Sequence, residues 1–217
     1  MGIAQINEAE NKLLIHATMI LYGDASYENL STTVANDIAT HWNEPNATVI
    51  IKKKPYHVEF RMTGIYAPAL IPEDVFENDN PQNNYFRVEE FAVGDISFVD
   101  AIGSNTGYFK LDNLLNNSTT AAHEFGHTLG LMHPKDLDIR AGGTPGIMYP
   151  RGTIVDPHFQ YDPNAAPATN GGTINPFLRK VLQADIDNLN LHKLSFNKQG
   201  LAVVGAFTSV WHQKHIP

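Results

Sequence analysis

The sequence predicts an α+β fold with a cleft between two unequal parts. Three observations predict it. Strand-like patterns and two helical ones fill the first 133 residues, a Gly-, Pro- and Asn-rich stretch without periodicity covers 134–175, and a further helical stripe follows. With 217 residues, 42% of them hydrophobic, the chain can bury one sizeable core, so residues 1–217 are expected to form a single domain. Its parts would be an upper subdomain over 1–133 and a lower one over 134–217.

The elements follow in order. Residues 13–22, LLIHATMILY, put Ile15, Ala17, Met19 and Leu21 on one face of a strand. A helix comes next, with Asp24 or Ser26 as candidate cap and a stripe of Leu30, Val34, Ile38 and Trp42 spaced by four. ATVII and VEFRMT read as strands; in the second, Val58, Phe60 and Met62 alternate with Glu59, Arg61 and Thr63. Residues 72–84 are acidic and turn-rich, hence a loop. YFRVEEF and ISFVDAI read as a hairpin around Gly94 and Asp95. A helix is expected over 119–129, stopped by Gly130, and a last one after Asn175 and Pro176 with Leu178, Val181, Leu182, Ile186 and Leu189 on its buried side.

Composition excludes several functions. A net charge of −8 argues against a nucleic-acid partner and against binding an anionic membrane surface. No apolar run approaches the roughly 20 residues of a membrane span, and residues 1–12 lack the charged and apolar regions of a signal peptide. Cysteine is absent, which removes disulfides, thiolate ligands and a cysteine nucleophile.

The chemistry is concentrated in HEFGHTLGLMH, residues 123–133. His123 and His127, four apart, share one helix face and can reach one metal ion. Glu124 lies one step around the helix, placed to address water without ligating the metal. A continued helix would carry His133 about 15 Å beyond His123. The chain must therefore reverse, and Gly130 stands where a left-handed residue is needed. Three histidines leave a fourth zinc position open, the pattern of a catalytic rather than a structural site. Chance would produce the full pattern in roughly one chain in ten thousand. His16, His41, His57, His158, His192, His212 and His215 are scattered and read as ordinary surface or satisfied core histidines.

AAHEFGHTLGLMHP (121–134) and GIMYP (146–150) resemble the metzincin clan of zinc endopeptidases, matrixins and serralysins most of all. GDISFVD (94–100) and VLQADIDNL (181–189) are weaker echoes. The resemblance implies a twisted, mostly parallel sheet with an antiparallel edge strand and a cleft above a smaller lower subdomain. It implies one catalytic Zn2+ on His123, His127 and His133, Glu124 as general base, and Met148 in a Met-turn beneath the ligands. It also implies an extended protein or peptide substrate along an edge strand, with 85–91 as candidate (Tyr85, Phe86, Arg87 and Val88), 104–110 as a second, and Tyr149 facing the site. Ser97 replaces a matrixin histidine of a second, structural zinc site. Asp136 matches an aspartate that ties the third histidine's segment to the Met-turn. Pro150 replaces a tyrosine that ligates zinc in astacins and serralysins, and Arg151-Gly152 replaces a matrixin pocket wall. His158 and Tyr161 fall in a loop that could line the cleft. Ca2+ is conceivable at 73–84, Asp156 or Asp162, although a solvated loop fits better. An exported or extracellular setting is expected. The alternative to a general endopeptidase is a toxin or effector module acting on one protein target. Residues 1–12, with Glu8 and Glu10, are the only candidate plug for the cleft; solvated charge is the preferred reading.

Overall fold

The computed structural model describes residues 1–216. It is a mixed α/β molecule built on an eight-stranded, curled, mostly parallel sheet with few helices. The strands are β1 (Gly2–Asn7), β2 (Lys12–Tyr22), β3 (Thr48–Ile51), β4 (Lys54–Tyr66), β5 (Asn83–Glu89), β6 (Phe98–Val99), β7 (Thr106–Lys110) and β8 (Leu201–Val204). The path runs β3-β4-β2-β5-β7-β6, with β2 parallel to both β4 and β5 and β5 parallel to β7. β6 is an antiparallel edge beside β7. β1 shares one side of β2 with β5: it pairs antiparallel with residues 12–16, β5 with residues 18–22. β8 then pairs with the outer side of β1, Ile3 opposite Val203. The C-terminal residues thus return to the upper sheet instead of completing the lower part, which ends near residue 200.

Alternation places the core as expected. Leu13, Ile15, Ala17, Met19 and Leu21 are all buried on the face covered by α1 (Glu28–Asn43), whose Leu30, Val34, Ile38 and Trp42 are buried as well. Neither expected cap serves this helix. Tyr27 holds the N-cap position, and the Ser26 hydroxyl instead donates to the Gly23 carbonyl at 2.7 Å. Trp42 joins α1 to α3 (Thr120–Thr128), its indole N–H donating to the Ala122 carbonyl at 3.0 Å and its ring 5.1 Å from Phe60 and 6.0 Å from Phe125. That contact fixes the depth of α3 against the sheet.

Three expectations are corrected. The hairpin is β6–β7, not 85–91 with 95–101, because β5 takes parallel partners on both sides. Residues 72–84 include a short helix, α2 (Pro72–Phe76). The last helix is interrupted: Pro176–Leu178 is a single 3-10 turn, and α4 spans only Gln183–Asn188. Leu178 is exposed in consequence, while Val181, Ile186 and Leu189 are buried. Residues 2–7 lie in the sheet and 8–11 turn into β2, with Glu8 accepting from the Tyr56 hydroxyl at 2.7 Å and pairing with Lys54, so this segment does not plug the cleft. Among the described residues, no helix is long and apolar enough to cross a membrane.

Candidate metal centre

α3 carries Ala121 to Thr128 inside the protein, all of them buried, and presents His123 and His127 from one face. Gly126 lies between them because nothing larger fits: a Cβ there would stand 2.4 Å from Met148 Sδ and 3.2 Å from the Trp42 ring. Met148, 3% exposed, therefore forms the floor under this turn of helix.

The helix ends at a left-handed Gly130 with φ +102. The Leu131 amide donates to the Gly126 carbonyl and the Gly130 amide to the His127 carbonyl, both at 3.0 Å, which caps the helix and reverses the chain. His133 returns beside the other two. Its Nε2 lies 3.1 Å from Nε2 of His123 and 3.1 Å from Nε2 of His127.

The second nitrogens decide what this triangle can bind. His123 Nδ1 lies 2.7 Å from the Ile147 carbonyl, and His127 Nδ1 lies 2.7 Å from the Leu131 carbonyl. A carbonyl only accepts, so both Nδ1 atoms carry the proton and both Nε2 atoms turn bare lone pairs toward the centre. Burial lowers the pKa of all three imidazoles, most strongly that of His123, so they stay neutral. Three lone-pair nitrogens cannot satisfy one another; a shared cation can. A zinc–nitrogen distance of 2.0 to 2.1 Å implies tetrahedral ligands about 3.3 Å apart, close to the spacing here. Neutral imidazole sets suit zinc, copper, iron and nickel. The residues fit such an ion, and the three histidines are the metal-ligand cluster found among the described residues.

The ring orientation has its own support. The Asp185 carboxylate accepts from the Leu182 amide at 2.8 Å, and the nearby Ile147 amide favours its ionised form against burial. Asp185 thus lies against the Gly146–Ile147 peptide, the one that precedes the carbonyl meeting His123. Asp136, the residue matched to that task by resemblance, is exposed and accepts from the Asp138 amide in its own loop. Asp185 was legible as part of VLQADIDNL but not as the residue that reaches the turn.

Glu124 sits beside the triangle, 6% exposed, and burial pushes its carboxyl up to about 8 against the opposing pull of Arg179. It opens on a cleft of about 510 Å³ bounded by residues 96–99, Ala101 and Ile102 on one side and by Thr120, Pro150, Arg151, Pro176 and Arg179 on the other. Sequence reasoning missed Arg179. Its guanidinium is 5% exposed, donating from Nε and Nη2 to Thr119 Oγ1 at 3.0 and 2.8 Å and from Nη1 to the Tyr149 carbonyl at 2.8 Å.

Other expected residues lie elsewhere. Tyr85, Phe86, Arg87 and Val88 belong to β5, an interior strand with no free edge, and β7 is interior too. The edge that borders the cleft is β6. Tyr149 contributes its carbonyl, not its ring, and His158 and Tyr161 do not line the cleft. Ser97 accepts from the Lys110 amide at 3.1 Å. Both oxygens of Asp156 face the Ala141 amide, and Asp162 Oδ1 accepts from the Asn164 amide in a turn. No family model matches the chain, and no curated protein matches it in sequence.

Proposed function

We propose that this chain is a zinc-dependent endopeptidase of the metzincin type, with His123, His127 and His133 holding the metal and Glu124 moving the proton. One observation carries the proposal: three Nε2 lone pairs converge beside a buried carboxyl at the wall of an open cleft. A purely structural site would have no use for that carboxyl.

The chemistry zinc supplies when bound is Lewis acidity, toward the scissile carbonyl and toward a water whose pKa falls to about 7. The protein's own groups do the rest. Glu124 accepts the proton of the attacking water on a carboxylate oxygen and returns it to the leaving amine. Burial raises the basicity of that carboxylate, and Arg179 together with a cation on the histidines draws it back toward neutrality. β6 pairs only with β7, so its other edge offers backbone groups to an extended peptide. The Ile147 and Leu131 carbonyls hold the His123 and His127 rings in place throughout.

The test is elemental analysis joined to an activity assay on a denatured protein substrate. One zinc per chain is expected, with hydrolysis lost on chelation and restored by zinc, and His127→Ala should retain neither. A wild-type chain that neither carries nor takes up zinc would sink the reading.

A further inference from the structure

The chain has five arginines. Arg61, Arg87 and Arg140 each pair with a carboxylate. Among the described residues Arg151 and Arg179 have no carboxylate within 4.0 Å, and they are the two that line the cleft. This is unexpected in a molecule of net charge −8. Burying a cation without a counter-charge is costly, so Arg179 asks for an explanation.

Its neighbours are all uncharged acceptors: Thr119 Oγ1 and the carbonyls of Tyr149 and Pro176. They orient the guanidinium without neutralising it. Two of its five N–H groups are left over. One, on Nη1, faces His123 Nδ1 at 3.0 Å, an atom whose own proton is already given to Ile147; the other is on Nη2. Arg151 stands at the rim, its Nη2 donating to Asn113 Oδ1 at 3.1 Å across the mouth of the same pocket. Among the described residues Glu124 is the one carboxylate on the cleft wall, and the proposed reaction already uses it.

From this we infer that the Arg151–Arg179 end of the cleft is a subsite for a substrate carboxylate, so that the enzyme selects peptides with an aspartate or glutamate side chain flanking the scissile bond. The inference rests on the peptidase reading above. A guanidinium pair gives a carboxylate charge-assisted hydrogen bonds that a neutral side chain cannot replace. A chain-terminal carboxylate has the same chemistry, and only the length and end group of the peptide tell the two apart.

The zinc-loaded full chain is tested on matched peptides with Asp, Glu, Leu or Lys on either side of one bond, all amidated at the C-terminus, and on a Leu peptide with a free terminal carboxylate. Acidic peptides should be cleaved with a kcat/KM roughly ten- to a hundred-fold above the neutral ones. Arg151→Glu should erase or invert that ratio, whereas Arg140→Ala, which removes a cation outside the cleft, should leave it unchanged. Calorimetry on zinc-loaded Glu124→Gln protein supplies a readout without turnover: the Asp peptide should bind at least tenfold tighter than the Leu peptide, less so as salt rises. Because Arg151 is exposed, its variant tests the subsite even where Arg179 variants fail to fold. Equal efficiencies for acidic and neutral peptides, or a ratio indifferent to Arg151→Glu, overturn the inference while leaving the peptidase intact. Preference confined to the free-carboxylate peptide overturns the assignment to a side chain. No cleavage of any peptide instead refutes the peptidase reading on which the inference stands.

Discussion

The two halves of this molecule are held together by different means. In the sheet half, apolar side chains repeat at strand and helix spacing and pack into one shared core. Residues 134–200 have almost no regular structure; they send a few side chains such as Ile147, Met148 and Ile186 into the same core and are otherwise fixed by individual polar contacts, such as Asp185 on the Leu182 amide and Arg179 on Thr119 and Tyr149. The metal centre draws on both. The sheet half provides His123, His127 and the Glu124 carboxyl on a helix packed to a set depth; the irregular half provides the floor and the carbonyl that aims His123. A burial-driven scaffold tolerates change in stability, whereas a contact-driven one transmits change directly to the site.

The largest expected effect concerns chemistry alone. Glu124→Gln should lower peptide hydrolysis by at least ~10²-fold while zinc content and circular dichroism stay as in wild type. The same variant reports on burial. Glu124 has a folded-state pKa of about 8, above its ordinary 4.5, so its contribution to stability is complete below pH 4.5 and is lost as pH rises through 8. Metal-free Glu124→Gln should therefore be more stable than metal-free wild type above pH 8, by roughly a few kcal/mol, with the gap closing in acid. Urea titrations at pH 4 and pH 9 measure it, and a gap of the same size at both would contradict this account of the buried carboxyl.

A pair of truncations tests the contrast between halves. Leu13→Ala, in the fully buried face of β2, should cost about 2 to 5 kcal/mol of stability and leave zinc affinity unchanged. Asp185→Ala should cost only about 1 to 3 kcal/mol, yet weaken zinc binding by roughly ten- to a hundred-fold by loosening the Gly146–Ile147 turn beside His123. Competition with a chromogenic chelator gives the affinities. If the two variants lose affinity equally, the halves do not differ as described.

Two glycines give smaller effects with distinct signatures. Gly126→Ala drives a methyl into Met148 Sδ and should cost about 1 to 3 kcal/mol, partly recovered by adding Met148→Ala. Gly130→Ala meets nothing within 4 Å, so backbone strain alone remains, about 1 kcal/mol. Thermal unfolding of the three variants separates overpacking from strain.

The same contrast explains what could be read from the sequence. The buried face of β2, the stripe of α1 and the helix of the histidines were legible because apolar periodicity survives in any fold that buries them. The reversal at Gly130 was legible because three ligands cannot meet otherwise. Strand order was not: YFRVEEF and ISFVDAI look like hairpin partners, and only the whole sheet shows that β5 is interior and β6 is the edge. Arg179 was invisible for a related reason. It was expected within a continuous helix, but the break between Pro176–Leu178 and α4 turns an apparent surface arginine inward.

The pairing of β1 with β8 bears on the order of assembly. During synthesis β1 can join β2 as soon as both have emerged, but its outer edge waits for Leu201–Val204. Until then the growing chain presents an unpaired strand edge, and both the cleft wall and the three clustered histidines are made before that edge is sealed. The last hydrogen bonds of the sheet are therefore long-range ones, and refolding should show a late, slow closure after the helices have formed.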